Sequence, residues 1–317
     1  ATLAEAAALR DAGDAGPLLA WLWAPNDPDL AACLAQDVDI SVSSVAALDE
    51  VVAAARTGER RARIHLKIDT GLSRNGATAA DWPTLVAAAA SAQGAGAVEV
   101  VGVWSHLANA DVADDPSVQA QVAAFEDALR VVDAQGLEPR LRHLANSPAA
   151  LMHPRTHYDL VRIGIAMVGV SPDSGPARAH GLRAAMTLRG DLALVKTIPA
   201  GASVSYGGAW TAPRATRVGL LPLGYADGLP RIAGNRAEVL VRGVRCPVVG
   251  RIAMDQCVIV LDDVPGDVAA GESVTVFGDA ASGAPTADDW GAWSGTIGYE
   301  IVTRIGGRVT RTVEGAR

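Results

Sequence analysis

The sequence predicts an α/β barrel of the TIM type, lacking its first two strands, followed by an all-β C-terminal domain. Three observations carry that expectation. From residue 1 to about 183, short apolar strand-type runs alternate with Ala/Leu-rich helical runs, the order of parallel βαβ units. Beyond residue 184 the runs become short and β-type, separated by Gly and Pro turns. No GxGxxG turn follows any early strand, so an open doubly wound sheet, the alternative for six strands, lacks its usual phosphate-binding signature. The domains are then 1–183 and 184–317, with a Pro-, Ser- and Gly-rich linker at Ser171–Gly181.

In chain order, Thr2–Ala12 reads as a helix closed by Gly13. Leu18–Trp23, bounded by Pro17 and Pro25, reads as a strand. Pro28–Gln36 reads as a helix capped by Asp27, with the proline at its first position. Val38–Val42 is a strand, and Val45–Arg56 a helix capped by Ser43 or Ser44. Ile64–Asp69 is a strand, Trp82–Gln93 a helix, Val98–Ser105 a strand and Ser117–Ala134 a helix. Leu141–Asn146 and Leu160–Ile163 complete six strands. A closed barrel needs eight, and at about 30 residues per βαβ unit the deficit is roughly 60 residues at the N-terminus. The chain opens directly in helix without an initiator Met, as a cut chain would. The second domain's β runs are Thr187–Lys196, Arg217–Leu223, Ala237–Val241, Cys246–Val248, Gln256–Leu261 and Ser273–Phe277.

Composition narrows the function. Half of the 317 residues are hydrophobic and only 4% aromatic, so the core is Ala, Val and Leu, and disorder is excluded. A net charge of −8 leaves no basic footprint for nucleic acid, and a small anionic substrate would need local arginines. Cys33, Cys246 and Cys257 show no CxxC spacing, which points to a reducing cytoplasm without a disulfide framework. No apolar run reaches the roughly 18 residues of a membrane span, and no signal peptide is expected.

Four constellations could carry chemistry. In Arg63–Asp69, RIHLKID, positions 64, 66 and 68 are apolar while Arg63, His65, Lys67 and Asp69 share the other face. In a barrel the polar face looks into the lumen, near the C-terminal mouth where barrel enzymes keep their sites; on an edge strand it would simply be solvated. Lys67 is one of two lysines, with Lys196, and a lumenal ammonium must be paired, neutral or modified. The following loop, DTGLSRNG, offers Arg74 as a carboxylate clamp. Later strand ends offer His106 in WSHLANAD, His143, Asn146 and Ser147 in RHLANSP, and Arg162 with Gly164 in VRIGIAMVG. Hydroxyl, amide and glycine-permitted backbone donors at late barrel strands suit a phosphate group. Finally, the apolar run from Val218 ends in Gly-Tyr-Ala-Asp-Gly, whose glycines 224 and 228 permit a tight turn that thrusts Tyr225 outward. Such a ring either packs on the sheet edge or serves as a positioned phenolic proton carrier.

Taken in order, KIDTGLSRNG, WSHLANAD, HLANSPA, DLVRIGIAMVG, VSYG, GYADGLPR and GRIAMDQ closely resemble the alanine racemases over essentially the whole chain. The pairing of GYADG with Met254-Asp255 is the specific part; KIDTG is shared more loosely by related barrel enzymes. The resemblance implies a bacterial cytoplasmic isomerase that uses pyridoxal 5'-phosphate to interconvert L- and D-alanine, supplying D-alanine for peptidoglycan. It implies a head-to-tail homodimer in which Tyr225, the catalytic base on one face of the substrate, and Met254 enter the partner's site. Arg74 is then expected at the substrate carboxylate and the cofactor's phenolic oxygen. Lys67 matches the lysine often carbamylated in the family, an anion that would hold Arg74. Asn146, Ser147, Gly164 and Ile165 are expected at the phosphate, and His106 beside the ring and Tyr225, keeping the phenol acidic enough to work.

Arg162 is expected at the pyridine nitrogen, and there the resemblance meets a physical argument. Arginine does not give up its proton, so the nitrogen facing it stays largely unprotonated. The ring then withdraws electrons weakly, which favours immediate reprotonation over decarboxylation or transamination. The chief departure is the family's cofactor-tethering lysine, carried after the first barrel strand in a VVKADAYGHG-like motif. Neither Lys67 nor Lys196 fits it, so the chain as it stands is expected not to tether the cofactor. Gly307 stands where some relatives carry a gate tyrosine and Ala253 where some carry cysteine, leaving substrate size open. A serine or broad-spectrum racemase, a decarboxylase on the same fold, and a non-catalytic cofactor-binding relative are the alternatives.

Overall fold

Thr2 starts the first helix. Its hydroxyl accepts from the Glu5 N–H at 3.2 Å and the Glu5 carboxylate takes the Thr2 N–H at 2.9 Å, a capping box over α1 (Leu3–Asp11). The computed structural model describes residues 1–56, 60–173 and 175–315 and falls into two units, Ala1–Gly164 and Ile165–Arg317. In the first, strands β1 (Leu18–Ala20), β2 (Val38–Val42), β3 (Ala62–Lys67), β4 (Val98–Trp104) and β5 (Leu141–His143) form one sheet in that order. Every neighbouring pair is parallel. Helices α2 (Leu30–Ala35), α3 (Val45–Ala55), α4 (Trp82–Gly94) and α5 (Pro116–Ala134) connect the strands, the parallel βαβ order that the alternation predicts.

Three local expectations are corrected. Pro28 does not open α2: Asp27 Oδ1 instead accepts from the Asp29 N–H at 3.1 Å, so the aspartate closes a turn before the helix rather than capping it. Leu160–Ile163 forms no strand. Its backbone bonds singly to the segment that follows β5, the Arg162 N–H donating to Ala145 O at 3.0 Å, rather than forming a ladder. Residues after His143 leave the strand early because Asn146 caps a short helix, α6 (Ser147–Met152). Elsewhere the caps follow chemistry: Ser44 Oγ accepts from the Ala47 N–H at 3.1 Å above α3.

The sheet is buried on both faces. Val38, Ile40, Val42, Ile64 and Leu66 join the apolar core with Leu48, Leu85 and Phe125. The opposite face of β2 and β3 is polar yet equally buried, at Asp39, Ser41, His65 and Lys67.

The second unit is a seven-stranded antiparallel sheet of order β6-β14-β11-β12-β13-β10-β7. Its strands are β6 (Leu188–Asp191), β7 (Leu194–Ile198), β10 (Thr216–Leu221), β11 (Glu238–Val241), β12 (Val244–Val249), β13 (Cys257–Val260) and β14 (Ser273–Phe277), with a small hairpin of β8 (Ser203–Val204) and β9 (Trp210–Thr211). The run Thr187–Lys196 is thus two strands at opposite sheet edges, not one. Two helices that periodicity missed, α7 (Ala287–Ser294) and α8 (Gly298–Thr303), close the unit, and Trp290 Nε1 is bonded to Val276 O at 2.8 Å. No described helix is long and apolar enough to cross a membrane.

Candidate active site

Strand register builds the first cluster. Lys67 pairs with Trp104 and Trp104 with His143, so the three lie in one row across β3, β4 and β5. Trp104 is the floor. Lys67 Nζ sits 4.0 Å from its ring centroid and the Arg162 guanidinium carbon 4.7 Å. The His143 ring stacks on it at 5.4 Å and 7°. Its indole N–H donates to Ser41 Oγ at 3.0 Å.

Arg162 reaches this floor from the irregular segment that follows β5. Nη2 donates to Ser105 O at 2.8 Å and Leu144 O at 3.1 Å, and lies 3.3 Å from His106 Nδ1; Nη1 donates to His143 Nδ1 at 3.0 Å. Burial pulls its pKa to about 10, which leaves it charged at neutral pH. Lys67, only 4% exposed, falls to about 8 through burial first and then the Arg74 and Arg162 charges, against a smaller pull from Asp69. His106 falls to about 4 through burial and then Arg162, Arg74 and Lys67, so it is a neutral imidazole whose Nδ1 faces the guanidinium. Arg74 is exposed on the loop after β3, whose start Asp69 fixes by accepting from the Gly71 and Ser73 N–H groups. Among the described residues no carboxylate forms a salt bridge with Lys67, Arg74 or Arg162. The basin is a concentration of positive charge that suits an anionic, aromatic ligand.

A second cluster adjoins the end of β5. Asn146 Oδ1 accepts from the Ala149 N–H at 3.3 Å, and Ser147 Oγ accepts from the Gly164 N–H at 2.9 Å. Ile165 follows directly and opens the 3₁₀ turn Ile165–Val168.

The third lies in the second unit, where β10 runs into the Tyr225 turn. The Tyr225 N–H donates to Ala253 O at 3.1 Å and the Ala226 N–H to Met254 O at 2.9 Å, so the two predicted loops are laced together by backbone. Gly224 permits the approach: a Cβ there would run into the carbonyls of Ala253 and Met254. Asp227 Oδ2 accepts from the Gly224 N–H at 2.8 Å, and Arg308 bridges Asp227 Oδ1 at 2.9 Å and Asp255 Oδ1 at 2.7 Å. Tyr225 and Met254 are left 42% and 54% exposed, and the phenolic oxygen has no hydrogen-bond partner among the described residues.

The expected residues therefore fall into three groups: Lys67, His106 and Arg162 with Arg74 nearby; Asn146, Ser147 and Gly164; and Tyr225 with Met254. Sequence reading passed over Trp104, Asp39 and the Asp227–Arg308–Asp255 bridge. A signal for Asp39 was present, since VDISV alternates polar and apolar residues as RIHLKID does.

Family models for the alanine racemase N-terminal and C-terminal domains match residues 1–172 and 185–313. The alanine racemase of Frankia casuarinae is 52% identical over 313 residues, covering 98% of this chain and 81% of the relative. That of Salinispora arenicola is 52% identical over 317 residues, covering 100% and 84%. The crystal structure of alanine racemase from D-cycloserine-producing Streptomyces lavendulae matches with a TM-score of 0.97 at 51% identity, covering 100% of this chain and 83% of that one. With both family models and these relatives spanning it, the chain belongs to the alanine racemase family.

Proposed function

We propose that this chain carries the substrate-binding residues, the cofactor-binding residues and one catalytic base of an alanine racemase that takes pyridoxal phosphate and works as a pair of like copies. The observation that carries the reading is Arg162. Its Nη groups donate to protein acceptors, while the Nε–H donates to none of the described residues. The donor set fits the cofactor. Arg162 would meet the ring nitrogen; Asn146, Ser147 and the backbone at Gly164 and Ile165 would hold the phosphate. Pyridoxal phosphate, when bound, withdraws electrons from the substrate Cα and makes its C–H acidic. Arg162 keeps the ring nitrogen unprotonated because a guanidinium donates without releasing its proton.

The remaining roles follow from the same chemistry. Arg74 grips the substrate carboxylate, which its exposed loop position allows. Lys67, with its pKa near 8, holds an appreciable neutral-amine fraction at pH 7 to 8. That amine adds carbon dioxide and releases a proton to water, becoming a carbamate anion that pairs with Arg74. Tyr225 takes or returns the Cα proton on one face in the site of a second copy, with Met254 beside the substrate. Its exposure and unpartnered oxygen support that role. His106 stays neutral and passes hydrogen-bond order from Arg162 toward the phenol.

Tyr225→Phe removes the phenol and keeps the ring. In the polypeptide that also carries the cofactor-tethering lysine, racemisation should fall by at least about a hundredfold in one or both directions, with the KM for alanine little changed. Unchanged rates in both directions would overturn the reading.

A further inference from the structure

Behind Arg162 a line of buried groups runs back into the sheet. His143 Nε2 lies 2.9 Å from His65 Nδ1, and His65 Nε2 lies 3.1 Å from Asp39 Oδ2. Asp39 is held in turn by Arg63, whose Nε donates to Oδ1 at 2.6 Å and Nη2 to Oδ2 at 3.2 Å. Asp39, His65 and His143 are 5%, 2% and 1% exposed, and none of them is an expected substrate or cofactor contact.

The two ends of this line dictate every proton in it. Arg162 Nη1 only donates, so His143 Nδ1 must offer its lone pair. The single hydrogen of a neutral His143 is then on Nε2 and is donated to His65 Nδ1. That places the hydrogen of His65 on Nε2, where the Asp39 carboxylate accepts it. A doubly protonated His65 is excluded by the same geometry: its Nδ1–H would force the His143 hydrogen onto Nδ1, against the guanidinium. Burial first, and then the Arg162 charge, press the His143 pKa down to about 2, so it does not take a second proton. Burial alone would raise Asp39, but hydrogen bonds from His65 and Arg63 outweigh it and keep the carboxylate ionised.

The fold makes room for this line. His65 pairs with Gly102 across β3 and β4, and a Cβ on Gly102 would overlap the His65 ring. The two imidazoles meet edge to face at 5.1 Å and 73°, while His143 is stacked on Trp104. The arrangement also separates charge. The anion stands two imidazoles away from Arg162 and orients it without neutralising it, as a carboxylate in direct contact would.

We propose that Asp39, His65 and His143 form a one-directional hydrogen-bond chain that positions Arg162 for racemisation, with Asp39 as its root. The proposal rests on the reading that Arg162 meets the cofactor's ring nitrogen. Asp39, His65 and His143 are positioning residues.

The test is the tautomer itself, read on the whole chain with ¹⁵N-labelled histidine by two-bond ¹H–¹⁵N correlation between pH 6 and 8. His65 and His143 should both be neutral and carry hydrogen on Nε2. In Asp39→Asn, the amide N–H competes for His65 Nε2 and permits the reversed order. His143 should then show an Nδ1–H population, and kcat should fall about tenfold to a hundredfold with KM for alanine little changed. Hydrogen on Nδ1 of His143 in the unsubstituted protein would overturn the proposal, even if the variant fails to fold. So would an Asp39→Asn protein with an unchanged tautomer or an unchanged kcat. The tautomers involve only the protein's own histidines, whereas an error in the Arg162 reading would appear as undiminished racemisation in Arg162 variants.

Discussion

Lys67 offers the most quantitative perturbation. Its amine is buried against Trp104 between two arginine charges, and its pKa drops from 10.5 to about 8. A basic group with a lowered folded-state pKa binds its proton less tightly in the native state. The cost is fully present below about pH 8, fades as pH rises from there toward 10.5, and is absent above it. The full shift corresponds to roughly 3 kcal/mol, an upper figure, since side-chain relaxation recovers part of it. Lys67→Met keeps the shape and removes the charge. In buffer purged of carbon dioxide, urea denaturation should show the variant more stable by about 1–3 kcal/mol at pH 7, with the difference shrinking toward pH 10. Bicarbonate should erase much of the gain by stabilising the parent protein, because a carbamate turns the stranded cation into a partner for Arg74. A variant less stable at pH 7, or a difference independent of pH, would refute the reasoning.

Two further substitutions probe the other clusters. Arg162→Glu replaces a donor that keeps its proton with an acid that shares one, so racemisation should fall by about a hundredfold to a thousandfold; a slow release of pyruvate should emerge, no more than one per cofactor because the amino group passes to the cofactor, read with a coupled lactate dehydrogenase assay. Gly224→Ala drives a methyl into the carbonyls of Ala253 and Met254, and should lower kcat about a hundredfold by displacing Tyr225 while cofactor affinity, read by titration of absorbance, stays near that of the parent.

Much of the architecture was legible because strand burial is written in period-2 alternation. RIHLKID announced both a strand and a charged face, and the structure buries His65 and Lys67 of that face. What alternation does not announce is where a strand stops. Leu141–Asn146 ends early because Asn146 is spent as a cap, and Thr187–Lys196 breaks into edges of the same sheet. The helices at 287–294 and 298–303 were hidden because the first is only two turns held by the Thr286 capping box, and the second is shorter still. In the site, charged residues at strand ends drew attention, whereas Trp104 read as ordinary core. Only the register shows it under both Lys67 and Arg162. Asp39 was missed for a related reason: its partners, His65 and Arg63, lie 26 and 24 residues away and meet it only when β2 and β3 pair.

In the proposed shared site one copy's Tyr225 serves the basin built by Arg162 in another, and a mixed dimer tests this. Tyr225→Phe and Arg162→Glu chains, each nearly inactive alone, are co-expressed and purified together. If sites are shared across an isologous pair, half of randomly assembled dimers are mixed, and each mixed dimer rebuilds one unaltered site. A shared site predicts about a quarter of the parent's racemase activity. Activity no greater than the sum of the two separate variants would contradict it.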